Sequence, residues 1–239
     1  MIKSDLWTLQ LFLSFFKKLL ITRWRSLLVL LIGVYLPLQV FGVLALVVLG
    51  NKGGFPWDAP ILFAVHQTAQ AQLDVFAATL TKVGVFWGVF PVATVVSIAL
   101  LRQRRWRSLA YLLITLPGSH FINRAAKALL HRVRPHLWDS LSSELDYGFP
   151  SGHAMSSMTL VAILVILTWG TRWCWLVLIT GSLFVVAIAW TRLYLGVHFP
   201  SDILAGWLVS IAWSIGVSLI LRPHFTKVIA ADEELMIET

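Results

Sequence analysis

The chain has 239 residues, of which 58% are hydrophobic and only 13% charged, with twelve tryptophans. An ordinary soluble domain is nearer half apolar and a quarter charged, so this composition excludes that class and points to a membrane protein. The formal charge of +8 does not signal nucleic acid, because the basic residues gather in short stretches between apolar runs, where they act as topology signals.

In chain order, residues 1–25 form an amphipathic N-terminal segment. Its stretch DLWTLQLFLSFFKKLL, residues 5–20, has too few apolar residues before Lys17 and Lys18 to span a bilayer. It suits a helix lying on the inner membrane surface, or a cytoplasmic extension of the first span. The apolar run that follows is too long for a signal h-region and ends without a small-x-small cleavage pattern, so it reads as a retained membrane helix. A spanning helix needs about twenty mostly apolar residues. Six spans are expected: Leu27–Leu49, Val83–Leu101, Leu109–Ala125, Ala154–Trp169, Trp173–Ala189 and Ile203–Leu221. Cys174 is the sole cysteine and lies inside the fifth, so no intrachain disulfide is possible.

Between the first two spans, residues 51–82 open with the turn-rich NKGGFPWDAP. Gln67, Gln70, Gln72 and Asp74 make the rest a poor span, and one or two helices capping the outer face are expected there. Arg102, Arg104, Arg105, Arg107 and Arg172 follow the second and fourth spans, Lys17, Lys18, Arg23 and Arg25 precede the first, and Arg222 and Lys227 follow the sixth. With six spans these regions share one side, which the positive-inside rule makes cytoplasmic, together with both termini. The expected fold is therefore all-α and polytopic, one domain over residues 1–239 with short interfacial helices.

The outward loops carry the unexpected charges. KALLHRVRP, residues 127–135, places Lys127 about two helical turns before Arg134. A positively charged helix end would explain the pair locally, but cations on the outer side oppose the topology rule and need a specific reason. FPSGH, residues 149–153, reads as a helix start. Ser151 is a good N-cap, Gly152 lets a ligand approach the backbone, and the helix N-terminus suits an anion. In TRLYLGVHFPSD, residues 191–202, Pro200 fits a first helical turn and Asp202 can reach back to the His198 imidazole. An H-x-x-x-D spacing is common, and each piece alone is weak. Together, three cations (Lys127, Arg134, Arg192), a helix N-terminus, two histidines and an aspartate on one membrane side describe a phosphate site. Two histidines allow one to attack phosphorus and the other to donate a proton to the leaving oxygen.

These stretches resemble the three ordered signatures of the type 2 phosphatidic acid phosphatases (the PAP2 superfamily), K-x6-RP, PSGH and SR-x5-H-x3-D. They cover residues 127–202, and order and spacing match throughout. The resemblance implies His198 as the nucleophile of a phosphohistidine intermediate, Asp202 as the residue that orients it, and His153 as the acid that protonates the leaving group and later activates water. It implies Lys127, Arg134, Ser151, Gly152 and Arg192 as ligands of the phosphoryl oxygens, with no metal and no cofactor. Thr191 stands where the family usually has serine. His131 and His136 flank the first motif without belonging to it and read as exposed loop residues. The implied activity is hydrolysis of a lipid phosphomonoester or pyrophosphate, such as phosphatidic acid, phosphatidylglycerophosphate, diacylglycerol pyrophosphate or an undecaprenyl-type pyrophosphate. The site would face the periplasm or exterior of a bacterial plasma membrane. A phosphotransferase to a lipid acceptor is the alternative. An anion transporter fits less well, because the charges are near loops and no repeat is evident. The related soluble vanadium haloperoxidases lack such spans.

Overall fold

The computed structural model describes residues 14, 17, 18, 20–51, 54–138 and 146–223, and among these every regular element is helical. Helix α1 is Leu20–Gly50, widened to a π-turn over Leu31–Tyr35. Two short helices follow, α2 (Asp58–His66) and α3 (Ala71–Val83). The rest of the chain forms α4 (Val89–Arg102), α5 (Trp106–Leu130), α6 (Gly152–Thr168), α7 (Trp173–Tyr194) and α8 (Pro200–Leu221). The segment expected to lie on the inner surface, residues 5–20, and Lys227 fall almost wholly outside the described residues.

By length and composition α1, α7 and α8 can each cross a membrane, while α4 and α6 are shorter apolar helices. Several expected boundaries shift for local reasons. The second expected span does not begin at Val83, because α3 ends there and the chain breaks over residues 84–88, bounded by two glycines that support a helix poorly. The third runs on to Leu130, which places Lys127 in its last turn. The fourth starts two residues earlier than expected, directly after Ser151, whose hydroxyl accepts the Ala154 N–H at 3.5 Å. The fifth continues to Tyr194 and carries Arg192 in its last turn.

The bundle is apolar outside, and many polar side chains lie within it beside its hydrophobic clusters. Large side chains such as Trp175, Ile179, Leu183 and Ile220 are exposed, while Ser108, Thr115, Ser119, Ser157, Thr159, Ser210 and Ser214 are buried. A water-soluble core has the opposite bias, and small or hydroxylated residues at helix crossings are how bundles pack in lipid. The Ser119 and Thr159 hydroxyls meet at 2.8 Å, joining α5 to α6. Tyr111 donates to the Ser214 carbonyl at 3.1 Å and Trp213 to the Thr115 carbonyl at 2.9 Å, joining α5 to α8.

Helix α6 is the hub, packing against α5, α7 and α8, with α1 on the outside of α8 and α4 beside α5. Because successive long helices alternate in direction, the end of α5, the start of α6, the end of α7 and the start of α8 converge at one end of the bundle. The opposite end holds the α4–α5 turn and the last residues of α8, where Ser108 donates to the Pro223 carbonyl at 2.9 Å. Helices α2 and α3 pack across the convergent end against α7 and α8. Tyr194 fixes α3 there, donating to Asp74 at 2.7 Å and accepting the Gln70 N–H at 3.1 Å.

Before α2 the chain turns at Gly54, with φ +92°, where a Cβ would lie 1.9 Å from Nη2 of Arg132 and 2.7 Å from Oδ2 of Asp58. Only glycine fits both the backbone and the space. Gly54→Ala is therefore expected to cost about 1–3 kcal/mol or more. A thermal unfolding curve in detergent indistinguishable from wild type would contradict this close packing.

Candidate active site

The first motif splits at the end of α5. Lys127 lies on the helix, His131 ends it in a left-handed conformation, and residues 131–134 continue outside regular structure. Burial alternates along that piece: His131 and Val133 are exposed, Arg132 and Arg134 buried. This is the pattern of an extended segment with one inward face, and it sends both arginines into the convergent end of the bundle.

Arg134 uses its whole planar fork there. Its Nε donates to the Asp146 carbonyl at 2.7 Å, Nη1 to the Val197 carbonyl at 3.0 Å, and Nη2 to an Asp146 carboxylate oxygen. Nη1 also lies 2.9 Å from Nε2 of His198. A guanidinium only donates hydrogen bonds, so Nε2 carries the lone pair and Nδ1 carries the proton. Nδ1 faces Oδ2 of Asp202 at 3.4 Å. This is longer than an ordinary hydrogen bond.

Asp202 has three tasks. Its Oδ2 accepts the Phe199 N–H at 2.8 Å, capping α8, while the same oxygen faces His198; its Oδ1 accepts from Nη1 of Arg132. Arg132 is fully buried and bridges two carboxylates, since Nη2 reaches Oδ2 of Asp58 at 2.7 Å. Asp58 in turn accepts the Ser201 N–H at 3.0 Å and the Ser201 hydroxyl at 2.6 Å, joining the start of α2 to the start of α8. The Phe199 ring lies 4.4 Å from the Arg132 guanidinium, a cation–π contact on a desolvated charge.

The helix start at Ser151 is locked to the same centre. Its N–H donates to the Asp202 carbonyl at 3.0 Å, and Asn123 of α5 donates to the Pro150 carbonyl at 2.9 Å. A Cβ on Gly152 would approach Oδ1 of Asn123 to 3.3 Å, so glycine leaves the first turn of α6 open at the site. His153 follows in that turn, half-buried. From α7, Arg192 is buried and donates to the Thr81 hydroxyl of α3 at 2.9 Å.

The eight expected residues thus converge on one centre, at the ends of four helices. Burial lowers the pKa of His198 well below its ordinary 6.5, and the charges of Arg134, Arg192, Lys127 and His153 add to the effect. The imidazole is accordingly neutral and nucleophilic at neutral pH. Asp146 balances part of this positive field, accepting from Lys127 at 2.5 Å. Burial pushes the Asp146 carboxyl up, but hydrogen bonds from Lys127 and Arg134, with their charges, outweigh it and hold the pKa below the usual value.

Arg132, Asp58, Asp146, Thr81 and Asn123 join these residues at the centre without being among the eight expected from the motifs. A usable signal existed for one of the acids. The chain has only eleven acidic residues, and Asp146, eleven positions after Pro135, was a sequence neighbour of the cationic motif, whereas nothing near Asp58 linked it to that motif. Nothing local marked Thr81 or Asn123. Thr191 now has an explanation, because its buried hydroxyl donates to the Ile188 carbonyl at 2.7 Å, back along its own helix. His131 and His136 stay outside the centre, both exposed, with His131 edge-on to Tyr147 at 4.6 Å.

Beside Gly152, a cleft of about 570 Å³ opens between α4, α5 and α6, lined mainly by apolar side chains such as Phe86, Phe90, Leu113 and Leu116.

The family model of the PAP2 superfamily matches residues 106–225. The chain is 26% identical over 183 residues to an undecaprenyl-diphosphatase of Sulfolobus acidocaldarius, covering 73% of this chain and 84% of that protein. It is 26% identical over 155 residues to phosphatidylglycerophosphatase B of Bacillus subtilis, covering 62% and 75%. The fold resembles the crystal structure of a transmembrane PAP2 type phosphatidylglycerolphosphate phosphatase from Bacillus subtilis. The TM-score is 0.68 at 24% identity, over 77% of this chain and 93% of that one.

Because Arg132 holds the carboxylate that aims His198, Arg132→Lys should act on turnover. Lysine keeps the charge but cannot bridge two carboxylates with a rigid fork. We expect kcat on a phosphate ester to fall about ten- to a hundredfold with KM little changed, as for a misplaced reacting group. Wild-type kcat in this variant would remove Arg132 from the aiming of His198.

Proposed function

The chain belongs to the PAP2 superfamily of membrane lipid phosphatases, and from that premise we propose that it cleaves a lipid phosphomonoester or pyrophosphate through a phosphohistidine at His198. The observation that carries this reading is the 2.9 Å approach of Arg134 Nη1 to His198 Nε2. It sets an unprotonated ring nitrogen against a guanidinium, with a carboxylate behind the other nitrogen.

The chemistry follows from these positions. Lys127, Arg134, Arg192 and the open N–H groups at the start of α6 bind the phosphoryl oxygens, whose charge spreads in the transition state. The incoming phosphate takes over the Arg134 donor now facing His198. The Nε2 lone pair then forms a bond to phosphorus as the bond to the leaving oxygen breaks. His153 gives that oxygen its proton, so a lipid alcohol departs from a monoester and a lipid monophosphate from a pyrophosphate. Asp202 stabilises the positive charge that develops on the ring. In the second step His153 takes a proton from water, the water oxygen bonds to phosphorus, and the N–P electron pair returns to Nε2 as inorganic phosphate leaves.

The membrane arrangement we infer has α1 and α4–α8 as six crossings, with the site on the outer face and both termini cytoplasmic. Arg102, Arg104, Arg105, Arg107 and Arg172 lie in the turns at the end opposite the site. Of the cations at the site end, Lys127, Arg132, Arg134 and Arg192 are buried within the site and carry no topology signal. The cleft beside Gly152 would admit lipid tails sideways from the bilayer.

His198→Ala is expected to abolish phosphate release from phosphatidic acid and to leave no acid-labile, base-stable phosphoenzyme in a rapid quench. His153→Ala is expected to slow turnover by about 10²–10⁴-fold, the range of a positioned proton donor. Full activity in either variant would overturn the corresponding role.

The lowered pKa of His198 fixes a pH dependence. A histidine whose pKa is lowered stays unprotonated below its ordinary 6.5, so phosphoenzyme formation at saturating substrate should hold constant from neutral pH down to that value and fall only in more acidic solution. A loss of half the rate above pH 6.5 would contradict a neutral His198.

A further inference from the structure

Helix α5 carries a third polar position on the face that bears Lys127. His120, Asn123 and Lys127 follow an i, i+3, i+7 pattern, so they line one stripe of the helix. At 1.5 Å per residue, His120 lies about 10 Å along the axis from Lys127, away from the phosphate site and toward the middle of the bundle. His120 and Asn123 both line the cleft between α4, α5 and α6, and Lys127 lies about one helical turn beyond Asn123 on the same face.

The other polar groups of this cleft are already engaged. Thr94 donates to the Phe90 carbonyl at 2.9 Å and Ser97 to the Ala93 carbonyl at 2.7 Å, each within its own helix. Ser119 is paired with Thr159, Asn123 with the Pro150 carbonyl, and Ser156 with the Gly84 carbonyl. His120 differs: its side chain is exposed on the cleft and no described residue hydrogen-bonds it. An ionisable side chain at membrane depth facing a cavity is costly and marks a ligand path.

We propose that His120 is a substrate-contact residue whose ring N–H donates to an ester carbonyl of the lipid, so that the substrate class is an acyl-ester lipid phosphate rather than a polyprenyl diphosphate. This rests on the phosphatase reading above and deepens it. A neutral imidazole offers one donor and one acceptor, which matches a carbonyl acceptor in an otherwise apolar cleft. The reach agrees as well. From phosphorus through the glycerol to an ester carbonyl oxygen is roughly 6 Å with bonds of ordinary length. A hydrogen bond adds about 3 Å, for a total of about 9 Å, of the same order as the roughly 10 Å rise between the backbone positions of His120 and Lys127. The second phosphate of a polyprenyl diphosphate sits next to the first, and at this distance the chain offers only hydrocarbon. An unmatched imidazole would then stay unpaired in an apolar cleft, at a cost.

The test compares kcat/KM of the purified protein in mixed micelles on three probes: dioleoyl phosphatidic acid, its dialkyl ether analogue without carbonyls, and undecaprenyl diphosphate. Wild type is expected to prefer the ester over the ether by about two- to tenfold, the net effect of one hydrogen bond, and over the polyprenyl diphosphate. In His120→Leu the ester-to-ether ratio should fall to about one, whereas His120→Gln, which keeps an N–H donor, should retain part of it. Equal wild-type rates on ester and ether would overturn the proposal without any variant. So would a higher rate on undecaprenyl diphosphate, or a His120→Leu protein with an undiminished ester-to-ether ratio. Phosphate released from none of the probes by wild type would instead overturn the phosphatase reading itself.

Discussion

A carboxylate withdrawn from water in an apolar bundle keeps its charge only if a cation is held against it, because desolvation costs several kcal/mol per ion. This protein buries two such carboxylates, Asp58 and Asp202, and answers both with one guanidinium, Arg132. A fork of fixed geometry can serve two acids at once where a lysine cannot. The bridge ties the start of α2, the segment after α5 and the start of α8 into one unit. The rest of the site is built on it: Asp202 aims His198, and Arg134 emerges two residues beyond Arg132 on the same inward face of an extended strand of chain.

The positive field around His198 follows from that scaffold. Lys127, Arg134 and Arg192 come from three separate elements and converge because the helices that carry them end at one level. With Asp146 offsetting part of the charge, the field is strong enough to keep the imidazole neutral yet is held without collapse of the site. The same field that strips the proton from His198 would draw in a phosphate dianion. In the proposed mechanism, preparation of the nucleophile and binding of the anion are two consequences of one arrangement of charge.

Polar chemistry at the convergent end is compatible with a lipid environment because the bundle turns large apolar side chains outward and pairs most of its buried hydroxyls inward. Between α4, α5 and α6 the wall opens into the cleft that borders Gly152. A headgroup can thus reach buried cations while the attached hydrocarbon stays among apolar side chains, and neither part has to cross a surface of the wrong polarity.

Much of this was legible in the sequence. Composition decided the membrane class, apolar run lengths located the long helices, and three short motifs named the eight residues that meet at the centre. Those signals are local: a run of apolar residues or a capped turn such as Ser151–Gly152 carries its meaning within a few positions. The helix ends were less legible, since the break over residues 84–88 and the extension of α5 to Leu130 depend on neighbours. Arg132 shows the limit most clearly. Within KALLHRVRP it is one more basic residue, and only the tertiary structure brings Asp58, 74 positions away, and Asp202, 70 positions away, to its two sides. The same holds for Thr81 against Arg192 and for His120 at the cleft. Which residues meet at the centre was written in the order of the chain; which partners hold them was decided by folding, because a long-range ion pair leaves no periodicity or spacing in sequence.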